Sequence, residues 1–293
     1  MLPPALKPER HLSDAEDLAR WQAWVEPFAE LLGAPASAAP ARLEQAGGSC
    51  LIFAPHPDDE CIVGALPLRL RREAGWQITN VAVTLGSNRT RRAERWQELE
   101  AACALLGFAN IRLREEGFED LKPDTATREP ALWRSQLETV VELLRERRPQ
   151  LILLPHSHDG NATHIGVHRL VCEAVAAARL TTVLAETEFW STLDTPNWMV
   201  ETSVADTARL VQALSRHLGE VERNPYHLRL PAFLADSVRR GGELIAGAGT
   251  AAPDYAFATL YRLSAMRDGA LAADLAARLC PAGESLQTAW LGL

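Results

Sequence analysis

The sequence predicts an α/β fold of Rossmann-like type, a mostly parallel sheet with helices on both faces. Two observations carry that prediction. From Ser49 onward, short apolar runs alternate with amphipathic stretches of helical length, the pattern of strands joined by right-handed helical crossovers. The two segments richest in histidine and aspartate each follow one of those apolar runs directly, at the sheet edge where open parallel sheets hold their ligands.

Taken in order, residues 14 to 33 place Leu18, Trp21, Trp24, Val25, Phe28 and Leu31 near helical spacing. GAPASAAPARLEQAGGS then reads as a linker of small residues and prolines with a closing glycine pair, so residues 1–47 form an N-terminal helical extension and linker. CLIFAP is a buried strand, and ECIVGALPLRLRREAG a helix ended by Gly75, with Pro67 expected to kink it. ITNVAVTLG is a second strand, followed by a helix around RRAERWQELEAACALLG and a short strand at NIRLRE. The helix EPALWRSQLETVVELLRERR stops at Pro149, and QLILLPH is another buried strand. A helix from near His164 to Ala178, a strand at TTVLAETEFW, a helix near 204 to 222 and a strand at YAFATLYRL complete a main domain over 48–265. GGELIAGAGTAAPDY between the last two is a glycine-rich connection, and residues 266–293 are expected as a helical tail packed on the domain.

Composition narrows the function classes. The chain has 293 residues and 47% apolar content, enough for a sizeable core. Thirty basic against 38 acidic residues give a net charge of −8, a field that repels nucleic acid. Five scattered cysteines without a C-x-x-C pair suit free thiols in a reducing compartment. The charged start and the absence of a long apolar run argue against a signal peptide or a transmembrane span, so a cytoplasmic location is expected.

The chemistry concentrates in LIFAPHPDDECIVGA, where Asp58, Asp59 and Glu60 follow His56 after an apolar run. Adjacent carboxylates repel, and a bound divalent cation removes that penalty. Four of the eight histidines lie in PHSHDGNATHIGVH, residues 155 to 168. Imidazole nitrogen with carboxylate oxygen is a common zinc ligand mixture, although such ligands also admit iron or cobalt. His56 and Asp59 are placed to face one centre, with Asp58 beside it. Arg89 and Arg95 are candidate substrate contacts, because guanidinium forks onto oxygens. Glu60 reads as a supporting hydrogen-bond group rather than a ligand.

These residues resemble the LmbE/PIG-L family of zinc-dependent N-acetylglucosaminyl deacetylases, which implies a three-layer fold of that type. The family motif A-H-P-D-D-E stands here as P-H-P-D-D-E, residues 55 to 60. Its second motif, D-G-H-P-D-H, is similar to Asp159-Gly160-Asn161-Ala162-Thr163-His164, with Asp159, Gly160 and His164 matching. The intervening R-x-x-E-x-x-x-A-x-x-x-L-G matches Arg95, Glu98, Ala102, Leu106 and Gly107. The resemblance implies Zn2+ on His56, Asp59 and His164, and a general-base role for Asp58. Asn161 stands where many members carry an oxyanion-stabilising histidine, so an amide donor takes that place. His158, or His168 one turn past His164, could take over the missing function, and Asp58 or a histidine from residues 156 to 168 is the candidate acid.

The implied activity is removal of an acetyl group from an N-acetylated amino sugar or glycoconjugate, a small-molecule partner, with a homo-oligomer left open. A zinc amidase acting on another small amide conjugate fits the same ligands. Asn161 and Thr163 keep open a catalytically silent member that only binds a ligand or partner. A nucleotide-binding protein is disfavoured, because no G-x-G-x-x-G or Walker loop follows the first strand.

Overall fold

The apolar run after Ser49 forms β1 (Ser49–Ala54), the axis of the molecule in a computed structural model that describes residues 12–34 and 47–286. Both faces of β1 are buried: Cys50 and Ile52 enter one core, Leu51 and Phe53 another. Successive side chains of a strand point to opposite faces, so a strand covered by helices on both sides is apolar at every position. Parallel to β1 run β2 (Gln77–Ala82), β3 (Ala109–Arg112), β4 (Leu151–Pro155) and β5 (Thr182–Thr187), in the order β3-β2-β1-β4-β5. The chain therefore moves outward one way from β1 and then returns to β4 on its other side. The carboxyl ends of β1 and β4 flank that reversal, which is where such sheets open a crevice.

One face is covered by α2 (Ala65–Ala74), α3 (Arg92–Leu106) and α7 (Val204–Leu214), with α1 (Asp14–Leu31) packed on α7. The other is covered by α5 (Pro130–Arg147) and α6 (Ala162–Ala178), with the single turn α4 (Thr125–Arg128) ahead of α5. The α1 helix begins with a capping box, in which the Ser13 N–H donates to Glu16 at 2.8 Å and the Glu16 N–H donates back to Ser13 at 3.4 Å. It buries Trp21, Val25 and Ala29. The linker expected after it falls at 35–46, outside the described residues.

Several expectations need correction. No helix starts at Glu60: Asp59–Cys61 is a short 3₁₀ turn, and α2 opens only after Gly64. Gly64 has φ +76° and lies so close to Thr259 that a Cβ there would sit 1.9 Å from its Oγ1, so only glycine passes. Pro67 does not kink α2, because it occupies the first turn, where its missing N–H has no helical acceptor to lose. The single helix expected near 204 to 222 is two, α7 and α8 (Leu218–Arg223). The glycine-rich stretch is not a loop throughout: α9 (Leu230–Ala246) includes Gly241 and Gly242. A Cβ on Gly241 would meet Met199 Sδ at 2.8 Å, and one on Gly242 would meet the Ala252 Cα at 2.9 Å. Close packing of the helix on its neighbours explains both glycines.

The sheet also turns antiparallel beyond β5. There β7 (Ala258–Arg267) pairs antiparallel with β5 and with β6 (Trp198–Glu201), a strand the sequence did not announce. The expected helical tail 266–293 is a further correction. Over its described part it forms β8 (Ala270–Asp274), hairpinned on β7, and β9 (Arg278–Cys280), parallel to β6. Asp268 and Gly269 both have positive φ, 49° and 82°, the two-residue turn that matches strand twist. The buried Arg69 then donates to the carbonyls of Cys280, Pro281 and Glu284, which ties the tail down against the helical preference of its Ala and Leu residues. Among the described residues the sheet has nine strands, and no helix is long and apolar enough to cross a membrane.

Candidate metal centre and active site

The β1 strand delivers His56 and Asp59 to the crevice, and the first turn of α6 delivers His164. Asn161 is the N-cap of α6 and its Oδ1 accepts the Thr163 N–H at 2.8 Å, which starts the helix so that His164 faces inward with 0% exposure. Three side-chain atoms from the two motifs meet: His56 Nδ1 lies 3.2 Å from His164 Nε2 and 3.4 Å from Asp59 Oδ2, and His164 Nε2 lies 3.3 Å from Asp59 Oδ2. A tetrahedral centre with bonds of about 2.0–2.1 Å has ligand–ligand edges of about 3.3–3.4 Å. The triangle therefore fits a divalent transition ion. Two imidazole nitrogens and one carboxylate are also the ligand chemistry of a catalytic zinc site.

Asp159 supports this ligand set. Its Oδ1 lies 3.6 Å from His164 Nδ1, within ion-pair range, and accepts the Asn161 N–H at 2.8 Å, while its Oδ2 accepts the Trp190 N–H at 3.1 Å. A carboxylate behind a ligating histidine fixes its tautomer and ring orientation. Phe189 covers the other side, edge-on to the His164 ring at 5.1 Å.

The charges follow from this packing. Burial alone would raise Asp59, yet His164 and His56 hold it well below the usual carboxylate range. Burial would lower His164, but Asp59 and Asp159 outweigh it and raise its pKa to about 10. Asp58 behaves differently from its neighbour. Burial and the Asp59 charge push it up to about 7, the range of a carboxylate that takes and returns protons near neutrality. Its backbone has φ +118°, a conformation that L-residues adopt at a cost of about 1–3 kcal/mol and that concentrates at functional sites. Arg95 steadies this turn, donating to the Pro57 carbonyl at 2.8 Å with its guanidinium 3.7 Å from Asp58 Oδ2.

Glu60, Cys61 and His217 form a second His/Cys/Glu group nearby, all buried. Its edges are those of hydrogen bonds. His217 Nε2 lies 2.7 Å from Glu60 Oε1, and the Cys61 thiol donates to the same oxygen at 3.1 Å. Burial pushes that thiol well above its ordinary value. A 2.7 Å edge is too short to span a metal, so this group is a buried hydrogen-bond cluster.

Other sequence candidates stand apart from the triad. His158 is exposed on the turn after β4 and makes no hydrogen bond or ion pair among the described residues. Arg89 is exposed and paired with Glu119 at 2.8 Å. His168 pairs with Glu186 at 3.0 Å, away from the triad. Sequence reasoning missed Tyr226 and His217. Tyr226 Oη donates to Asp58 Oδ2 at 2.5 Å. Neither residue belongs to a spacing motif, and only the fold brings the segment after α7 under the first motif.

Comparison with known proteins finds similar chains. Residues 51–175 match the family described as PIG-L, GlcNAc-PI de-N-acetylase. That segment, which holds His56, Asp59 and His164, is similar to this family. Curated relatives are 1D-myo-inositol 2-acetamido-2-deoxy-alpha-D-glucopyranoside deacetylases. The one from Acidothermus cellulolyticus is 29% identical over 160 residues, which cover 45% of this chain and 54% of the relative. The one from Nocardia farcinica is 29% identical over 219 residues, covering 65% and 70%. The chain thus spans about half the length of the first of them. Solved structures share the fold. They include N,N'-diacetylchitobiose deacetylase from Pyrococcus horikoshii (TM-score 0.53, 15% identity, 85% of this chain and 92% of that one). The A40926 pseudoaglycone deacetylase Dbv21 gives TM-score 0.55 at 16% identity, over 76% and 98%. A 4-carboxy-2-hydroxymuconate hydratase from Pseudomonas putida has it too (TM-score 0.54, 17% identity, 74% and 95%).

Proposed function

We propose that the chain is a metal-dependent hydrolase that removes the acetyl group from an N-acetylated amino sugar or glycoconjugate. The observation that carries this is the 3.2–3.4 Å triangle of His56, Asp59 and His164 with Asp58 beside it. The names of the curated relatives point to an acetamido sugar as substrate.

His56, Asp59 and His164 would hold the ion, with Zn2+ the best match to their donor set. When bound, such an ion lowers the pKa of water toward neutrality and polarises a carbonyl. Asp58 takes the proton from the attacking water and returns it to the departing amine, which its elevated pKa suits. Asn161 uses Oδ1 for the helix cap, and its Nδ2 remains as a donor to a developing oxyanion. That amide has no proton to give as an acid, so Asp58 serves as both base and acid here. His158 and Arg89, both exposed, belong to the rim, where they would meet the non-reacting part of a substrate. Arg95 acts on the turn that carries Asp58.

The test is acetate release from a panel of N-acetylated amino sugars and their conjugates by the zinc-loaded chain. Asp58→Asn should lower kcat by about 10²–10⁴-fold, the usual worth of general acid–base catalysis, with zinc still bound. Release only from other small amides moves the assignment to an amidase. A zinc-loaded chain that releases nothing leaves a binding protein. A cytoplasmic location belongs to the same proposal.

A further inference from the structure

Resting on that function, we infer that Tyr226 and the buried His217–Glu60 pair position Asp58 for proton transfer, and leave Oδ1 as its working oxygen. Asp58 is held from two sides. On its backbone, the N–H at φ +118° donates to Glu60 Oε2 at 2.9 Å. The other Glu60 oxygen is fixed by His217 Nε2 at 2.7 Å, and both side chains have 0% exposure. Burial would lower the His217 pKa, but the Glu60 carboxylate holds it up, so the ring stays a donor. On its carboxylate, Tyr226 Oη donates to Oδ2 at 2.5 Å, and Arg95 stands on the same oxygen at 3.7 Å. Oδ1 accepts no hydrogen bond from a described residue.

This asymmetry has a chemical consequence. A carboxylate free to rotate presents either oxygen in many directions, whereas one with a single oxygen pinned presents the other in one direction. Fixing a reacting group in its attack geometry is worth large factors in rate. The strained Asp58 peptide would relax without a partner for its N–H, and Glu60 supplies that partner while His217, with the Cys61 thiol, holds its other oxygen. The segment carrying these residues is itself anchored: the Gly219 N–H donates to Glu98 at 3.0 Å, and Arg91 pairs with Glu220 at 3.0 Å.

The experiment compares zinc-loaded full-length variants in acetate release, with zinc content measured alongside. Tyr226→Phe should lower kcat by about tenfold or more with KM within about twofold, the split expected when only the transition state loses an interaction. His217→Leu should do the same. His217→Gln, whose amide nitrogen reaches Glu60, should recover to within about threefold of the unsubstituted chain. Unchanged kcat in Tyr226→Phe would overturn the inference, as would equal losses in the two His217 variants. If the unsubstituted chain releases no acetate, the proposed function fails, and amide hydrogen exchange at Asp58 decides the positioning. Protection that drops by about tenfold or more in Glu60→Ala supports it; equally fast exchange in both chains overturns it.

Discussion

His164 sets the behaviour of the candidate metal centre at the residue scale. In the metal-free chain Asp59 and Asp159 raise it to about 10, from an ordinary 6.5. The stability this contributes is fully present below 6.5 and is lost as pH rises through about 10. Asp59 is depressed from its ordinary 3.8, so its contribution is present above 3.8 and is lost as pH falls through the lower folded value. A metal needs the deprotonated His164 nitrogen, so binding between pH 6.5 and 10 releases about one proton. Zinc affinity should therefore rise about tenfold per pH unit in that range. Calorimetry in buffers of different ionisation enthalpy measures the proton directly, and pH-independent affinity would show that His164 is neutral in the metal-free site. Asp159→Asn should weaken zinc binding by about 10–100-fold, the usual effect of removing a carboxylate behind a ligating histidine.

The same residues show what the sequence discloses. The meeting of His56, Asp59 and His164 was legible because two short motifs mark strand ends at one edge of the sheet. Asp58 was legible by adjacency. Tyr226 and His217 were not, since their contact with the first motif spans 168 and 157 residues and follows no local period. Arg95 was read as a substrate contact, but from sequence nothing distinguishes a guanidinium that meets substrate from one that grips the Pro57 carbonyl.

At the scale of elements, two packings hold the site together. The α6 helix crosses the loop at residues 121–122 so closely that a Cβ on Gly166 would lie 2.7 Å from the Leu121 carbonyl oxygen. Gly166→Ala should cost about 1–3 kcal/mol by overpacking and, by displacing α6, should weaken zinc binding as well. Denaturant unfolding and zinc titration measure the two effects separately. The α1 helix braces the segment that holds Asp58. Trp21 meets the His227 ring edge-on at 5.7 Å, directly after Tyr226, and Gln212 of α7 donates to the Asp14 carbonyl at 2.7 Å. Trp21→Ala should cost about 3–5 kcal/mol and lower kcat more than it raises KM. Elements were legible where helical spacing ran long, as in α3 and α5. They were lost where packing overrode local preference, as in α9 with its two glycines and in the Ala-rich strand β8.

The whole molecule joins a parallel half to an antiparallel one. The parallel order β3-β2-β1-β4-β5 places both motifs at the reversal between β1 and β4, and this half was legible because crossover helices impose a regular strand–helix rhythm. The antiparallel half is built from the β7–β8 hairpin and from strands that pair far from their sequence neighbours. Its local signals are the strand-like run YAFATLYRL, which enters β7, and Asp268–Gly269, a two-residue turn placed among residues of high helix propensity. The segment between β6 and β7 supplies Tyr226 and His217, so the surroundings of Asp58 draw on both halves.

The most direct measurement is a zinc titration of the metal-stripped full-length chain, followed by calorimetry and by elemental analysis after dialysis. One ion per chain is expected, with binding abolished or weakened by orders of magnitude in His56→Ala and His164→Ala. No retained ion, or one held equally well by both variants, would contradict the site on which the account rests.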